Sequence, residues 1–329
     1  MKHIKYIFSI IIILTLASGI SIYIKNKQIK AVIIDNPTFI SSVNYSNNGL
    51  YIATSSYDGT VKIIDSKTGS LIKLLPYQYN EFGVVDLAIF SPDNACVASV
   101  HRKNNIINIW NLKSNRLVTK LVGHRAEITS IAFSPKMNLL ATGSRDGMIK
   151  VWDLQKNREK FTIQDERIRS LVFSRDGKIL LSSSFASTNI KAWDANSGKK
   201  IAILEGHNGY ISSIQYNQSG TMLISGSVDS TIRFWTADFR QIHPIFEPLH
   251  DNVKKVALSP DGKLLVCAYN DRYHPKDRVF ICNIKDKYFV YDIKKEMKIQ
   301  EFQAIDFSPD CKSMVGAIDN KIYIYKLIK

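Results

Sequence analysis

Apolar residues come along this chain in short bursts. Each is about four to six residues long, which suits a β-strand and is too short for a helix. Between Ile128 and Asp153 the bursts are Ile128, Ile131 and Phe133, then Leu139 and Leu140, then Ile149, Val151 and Trp152. Turn chemistry separates them. In Ser259-Pro260-Asp261-Gly262-Lys263 the proline presets φ and the glycine accepts a positive φ. Asp58-Gly59 and Asp146-Gly147 mark a second hairpin. A weaker burst follows each third strand, as in Arg158 to Ile163 and Lys200 to Leu204. The pattern predicts four antiparallel strands per unit.

The unit recurs. Copies begin at Phe39, Val84, Ile128, Ile168, Ile211, Val253 and Ala304, and a Ser or Asn closes the first strand of each (Ser46, Ser91, Ser134, Ser174, Asn217, Ser259, Ser308). The period is roughly 40–49 residues. A lone four-stranded sheet cannot bury both faces, but sheets stacked around an axis cover one another and expose few edges. The last unit stops at Lys329, just after its third strand. Lys30 to Ile34 reads as the missing fourth strand, so the first and last units are expected to be sewn together, leaving no free edge at the seam.

Here the units resemble the WD repeats of the β-propeller family. Trp152-Asp153 and Trp193-Asp194 match the name-giving pair, and Gly123-His124 and Gly206-His207 match the family's Gly-His signature. The resemblance covers about nine-tenths of the chain and implies an all-β fold. The expectation is a seven-bladed WD-repeat β-propeller over residues 29–329, preceded by one apolar helix in residues 1–28. It also implies a toroid that serves as a platform for protein interaction.

Two units carry the family's buried polar set. In the third it is His124, Thr142, Asp146 and Trp152; in the fifth it is His207, Ser225, Asp229 and Trp235. A lead-in histidine bonds a hairpin aspartate and a strand hydroxyl, and the hydroxyl accepts the indole N–H, so each buried polar group is satisfied. Ser225, His207 and Asp229 are also the residue types of a catalytic triad. The same set recurs with Thr for Ser, whereas a catalytic site is needed once, so the set reads as structural. Elsewhere the set decays. The first unit has Thr54 and Asp58 but Ile64 at the Trp position; the second keeps Ser99 and Trp110 without the aspartate. The fourth keeps Ser182 and Trp193, the sixth has His250 but Cys282 for Trp, and the last has neither. Apolar packing is expected to hold these blades instead.

Composition adds limits. Hydrophobic residues make up 45% of 329, ample for a large core, and the formal net charge is +15. The lysines are dispersed along the sequence, which argues against nucleic-acid binding, since that needs cations on one face with stacking aromatics. Cys96, Cys267, Cys282 and Cys311 form no CxxC pair and read as small apolar residues. Cys267 and Cys282 are expected to be diagonal neighbours on adjacent strands. The histidines never pair at ligand spacing, and no glycine-rich loop opens a helix. No catalytic residue, metal ligand or cofactor site is therefore expected.

Ile7 to Ile24 is an apolar stretch with Lys2 and Lys5 before it and Lys25, Lys27 and Lys30 after it. About 18 residues as a helix span nearly 27 Å, enough to cross a hydrocarbon core. The favoured reading is an uncleaved single-pass anchor with the ring outside the cytoplasm. The alternatives are a signal peptide cut after Ala17 or Gly19, leaving a secreted or periplasmic protein, and a buried helix.

In the implied architecture, the loops between strands two and three and those leading into each blade gather around the channel on one face. Such loops carry function while sheets hold them. They supply Tyr57, Arg102, Arg125, Arg145, Arg167, Phe185, Tyr210 and Tyr273, a list rich in the arginine and aromatic types that dominate binding hot spots. The leading function is a non-catalytic scaffold for protein–protein interaction, tethered to a membrane through residues 7–24, whose loop face takes an acidic protein or peptide. The competing classes are a propeller enzyme and a polyanion-binding propeller.

Overall fold

The computed structural model describes residues 31–75, 83–136, 138–246, 252–270, 278–285, 288–292 and 303–327. They form 28 β-strands in seven four-stranded antiparallel sheets, or blades. Each blade runs from an inner to an outer strand. Blade 1 spans β2 (Ile40–Tyr45) to β5 (Leu71–Leu75), and blade 2 spans β6 (Val85–Phe90) to β9 (Arg116–Leu121). Blade 3 spans β10 (Ile128–Phe133) to β13 (Arg158–Gln164), and blade 4 spans β14 (Ile168–Phe173) to β17 (Lys200–Leu204). Blade 5 spans β18 (Ile211–Tyr216) to β21 (Gln241–Phe246), and blade 6 spans β22 (Asn252–Leu258) to β25 (Tyr288–Asp292). Blade 7 holds β26 (Ala304–Phe307), β27 (Ser313–Ile318) and β28 (Lys321–Lys326), and takes β1 (Ala31–Asp35) as its outer strand.

The ring closes because β1 pairs antiparallel with β28, in a register running from Ala31 opposite Tyr325 to Asp35 opposite Lys321. Each of the seven seams between blades holds one apolar cluster. The cluster that joins the ends of the ring packs Ile40, Val43 and Ile52 of blade 1 against Val315, Ala317 and Ile324 of blade 7. Two glycines let blades approach closely. A Cβ on Gly143 would lie 2.3 Å from Ile168 Cγ2, and one on Gly226 would lie 2.6 Å from Val253 Cγ1.

Inner strands leave one backbone edge without a sheet partner, and such polar groups need satisfaction. Side chains of the preceding blade supply it. Thr129 Oγ1 donates to Ile168 O at 2.6 Å and Ser212 Oγ to Val253 O at 2.6 Å. One register further, Ser42 accepts from Ala88 N at 3.0 Å and Ser130 from Leu171 N at 3.0 Å. Asn44, Gln215 and Asp306 occupy a third equivalent position. Asn44 donates to Ala88 O, Gln215 accepts from Leu258 N, and Asp306 accepts from Tyr45 N across the blade 7–blade 1 seam at 2.8 Å. Asp306 is half-buried. Burial pushes its carboxyl up to about 6, against the pull of the Tyr45 and Phe307 amides and Lys255.

The marker serines build the turns. Ser91, Ser174, Ser259 and Ser308 each donate to the aspartate two residues on, and each accepts its partner strand's amide or bonds its carbonyl. This self-bonded loop is the local reason that the Ser-Pro-Asp-Gly phrase folds tightly. Cys267 and Cys282 are diagonal neighbours, since Leu265 opposes Cys282 while Cys267 opposes Phe280. Both thiols, like those of Cys96 and Cys311, are free of disulfides. The described residues contain no helix long and apolar enough to cross a membrane. The expected apolar helix in residues 1–28 lies outside the described residues.

Candidate functional site: the loop rim of the ring

The two polar sets come together in the same way. His124 Nδ1 lies 2.9 Å from Asp146 Oδ2 and its Nε2 lies 2.8 Å from Thr142 Oγ1, which accepts the Trp152 indole N–H at 2.9 Å. In blade 5 the corresponding distances for His207, Asp229, Ser225 and Trp235 are 2.8, 2.8 and 2.9 Å. Burial pushes both imidazoles below their ordinary value, and the aspartates only partly restore it. The neutral ring then donates from Nδ1 and accepts at Nε2, which makes the chain Trp to hydroxyl to His to Asp complete. Burial would raise the Asp146 carboxyl, but the Arg125 amide and His124 outweigh it and hold the group below the usual range. Both imidazoles are buried, and the His207 ring lies 6.5 Å from that of Trp235. The arrangement suits holding a blade together.

Three further blades use polar substitutes, so the expectation of apolar packing alone is corrected there. In blade 4, Trp193 donates to Ser182 at 2.9 Å and Ser182 donates to Asp165 at 3.0 Å. Lys191 pairs with Asp165, which with Glu166 keeps the ammonium above its ordinary value although burial opposes it. In blade 2, Trp110 donates to Ser99 at 3.0 Å, and Asn108 bonds His101 Nε2 at 2.9 Å. In blade 1, Asn36 donates to Ser56 at 2.9 Å and accepts from Lys62. Each substitute meets the same requirement, that a buried hydroxyl or indole keep a partner.

The rim itself is built from one repeated position. In blades 1 to 5 the residue after the second strand donates its N–H to the carbonyl just before the inner strand. The pairs are Tyr57 to Phe39, Arg102 to Val84, Arg145 to Glu127, Phe185 to Arg167, and Val228 to Tyr210, at 2.9–3.1 Å. Because the bond recurs, side chains some forty residues apart become neighbours. Two clusters result. In the first, the Phe39 and Tyr57 rings lie 5.9 Å apart, and the Arg102 guanidinium sits 5.3 Å from the Tyr57 centroid. Arg102 also pairs with Asp86, which raises its basicity. In the second, Phe185 takes two guanidinium groups, Arg145 at 5.5 Å and Arg169 at 5.2 Å, while Tyr210 lies 5.8 Å away. Arg145 pairs with Glu127 at 3.1 Å. Arg169 Nε is buried without a hydrogen-bond partner among the described residues, and burial lowers its basicity.

Of the eight expected rim residues, Tyr57, Arg102, Arg145, Phe185 and Tyr210 fall in these clusters. Arg125 and Arg167 are exposed on the same rim, where their main chains bond Asp146 and Phe185. Tyr273 lies outside the described residues. Phe39, Asp86 and Arg169 join the clusters unforeseen. Asp86 and Arg169 share one position on the inner strand, second from its start, and that register was their only sequence signal. Phe39, Tyr57 and Tyr210 remain 52%, 45% and 37% exposed, so the rim presents aromatic faces to solvent. Among the described residues no group of three or more His, Cys, Asp or Glu could hold a metal ion.

Comparison with known proteins gives the same architecture. A family model described as "WD domain, G-beta repeat" matches residues 28–65, 115–153, 157–194 and 198–236. The first match begins ahead of β1 and ends with the third strand of blade 1. The chain is 29% identical over 201 residues to guanine nucleotide-binding protein subunit beta-5b of Danio rerio, covering 60% of this chain and 50% of that protein. It is 28% identical over 247 residues to nuclear distribution protein PAC1 of Arthroderma otae, covering 71% and 53%. It is 31% identical over 154 residues to nuclear distribution protein nudF of Aspergillus niger, covering 45% and 35%. The chain thus spans about half the length, or less, of the curated relatives it matches.

Proposed function

From the premise that this chain is a WD-repeat β-propeller, we propose that it is a non-catalytic scaffold whose loop rim binds an acidic protein or peptide. Propellers of this family typically mediate protein interactions. The observation that carries the proposal is the second cluster, where two guanidinium groups converge on one half-buried phenylalanine. A carboxylate approaching there meets Arg145 and Arg169 at once, while Tyr210 and Phe185 offer apolar cover. Arginine and aromatic side chains held rigid by stacking lose little entropy on binding. We also propose that residues 7–24 tether the ring to a membrane as an uncleaved single-pass segment, with the ring outside the cytoplasm. That reading rests on the length and apolarity of the stretch.

The test is site-specific photo-crosslinking of the full chain in its own cells. A crosslinker at Tyr57 or Tyr210 is expected to capture one common partner, and a crosslinker at Lys178, on the opposite face, to miss it. Arg145→Glu with Arg167→Glu should weaken capture about tenfold or more, as loss of a hot spot does. Equal capture by the paired reversal, or capture from Lys178 alone, would place the partner elsewhere.

A further inference from the structure

We propose that the face opposite the rim is a docking surface for an anionic phospholipid bilayer. The strand order fixes what lies there. The turns between first and second strands, and between third and fourth, all fall at the end of the ring away from the rim. Every blade puts an exposed cation on them: Lys67, Lys113, Lys136, Lys178, Arg240, Lys263 and Lys312. Along the sequence these charges are dispersed at the period of the repeat. In the ring the same period brings them onto one plane.

Carboxylates offset part of this charge. Asp176, Asp261 and Asp310 are held ionised in their own turns by serine hydroxyls and amides. They are outnumbered where the charge is densest. In blade 3, Lys136, Lys156 and Arg158 share the face with Asp153, and in blade 4, Arg175, Lys178, Lys199 and Lys200 share it with Asp176 and Asp194. Ion pairs form on both faces: Arg240 with Asp238, Lys263 with Asp261 and Lys156 with Asp153 on the turn face, and Arg102 with Asp86, Arg145 with Glu127 and Lys191 with Asp165 on the rim. Among the described residues the turn face therefore keeps a positive surplus, densest in blades 3 and 4.

The chain itself selects a bilayer over other polyanions. Ala31 pairs with Tyr325 at the turn end of blade 7, so the chain enters the ring from the basic face. The apolar stretch Ile7 to Ile24 precedes it by a few residues, among them Lys25, Lys27 and Lys30. A membrane holding that stretch would lie against the turn face and not the rim. Basic groups within a Debye length of about 8 Å at ~0.15 M salt feel the headgroup charge. This inference borrows from the tether only the nearness of the bilayer; the charge of the face stands without it.

The purified full chain would be mixed with vesicles of neutral phosphatidylcholine, or of phosphatidylcholine with phosphatidylserine, and floated. Amine acetylation at Lys136, Lys178 and Lys263 would then be read by mass spectrometry, with Lys103 on the rim as internal control. Flotation with neutral vesicles reports the tether. The face is reported by the composition dependence: the three lysines should be labelled at least threefold more slowly on anionic than on neutral vesicles, with Lys103 unchanged. The protection should vanish in ~0.5 M NaCl. Equal labelling on both vesicle types overturns the proposal, as does failure to associate with anionic vesicles. Protection of the same lysines by a single-stranded oligonucleotide, but not by anionic vesicles, overturns it in favour of nucleic acid.

Discussion

Replacing Thr142 by Val keeps the shape of the side chain and removes only the hydroxyl. That hydroxyl accepts the Trp152 N–H at 2.9 Å and meets His124 Nε2 at 2.8 Å, and all three groups are buried. The substitution leaves an indole donor and an imidazole acceptor without partners. Each orphaned group costs about 1–3 kcal/mol, so Thr142→Val should lose roughly 2–6 kcal/mol. Ser182→Ala in blade 4 makes a calibrated contrast. There Trp193 is orphaned, but Asp165 retains Lys191, so the loss should be smaller, about 1–3 kcal/mol. Thr142→Ser keeps the hydroxyl, as blade 5 does with Ser225, and should cost under about 1 kcal/mol. Urea unfolding of the full chain, followed by tryptophan fluorescence, gives midpoint and slope for each variant. All four tryptophans, Trp110, Trp152, Trp193 and Trp235, donate to a second-strand hydroxyl, so the probe reports the networks directly. A Thr142→Val loss under about 0.5 kcal/mol, or one no larger than that of Ser182→Ala, would refute the reasoning.

Three other outcomes follow from the same geometry. Asp306→Asn should gain on the native chain by about 2 kcal/mol between pH 4 and pH 7.5, because a carboxyl raised from 3.8 to about 6 disfavours the folded state as pH rises. The variant starts lower at pH 4, since Asn can accept only one of the Tyr45 and Phe307 amides, and a difference in urea midpoint that is constant across that range would contradict the raised carboxyl. In the Asp306→Asn background, stability should decline as pH falls below about 6.5, since the unfolded chain protonates His124 and His207 while the buried rings resist; a midpoint equal or higher at pH 5.5 than at 7.5 counts against neutral imidazoles. Gly143→Val should destabilise by about 1–3 kcal/mol through overlap with Ile168, and a melting temperature unchanged within error would show that the blade 3–blade 4 seam has slack.

What could be read from the chain depended on how far apart the interacting residues lie. Turn phrases and strand bursts are local, so the blade count and the seam strand near Val32 were legible. Gly123-His124 with Asp146-Gly147 is a spaced motif, and its side chains meet in the structure. Asp165 was not legible because it lies three residues before Ile168, while His124 and His207 lie four before Ile128 and Ile211. The change of register and residue type hid an equivalent role. Arg169 and Asp86 were missed because they start as ordinary inner-strand residues, and only the register of the first and second strands within blades 4 and 2 sets them against Phe185 and Arg102. The lysines looked dispersed because one per turn is sparse in sequence and dense in a ring. The apolar stretch before Lys25 and the expected rim residue Tyr273 fall outside the described residues.

Two opposite faces exist only if the first strand completes the last blade. Hydrogen–deuterium exchange of the full chain tests this most directly. Amides of Ala31–Asp35 and Lys321–Lys326 should exchange as slowly as those of the paired strands Met148–Asp153 and Arg158–Gln164. Exchange of Ala31–Asp35 at the rate of an unstructured peptide, with Lys321–Lys326 unprotected beside it, would contradict a closed ring and with it both binding faces.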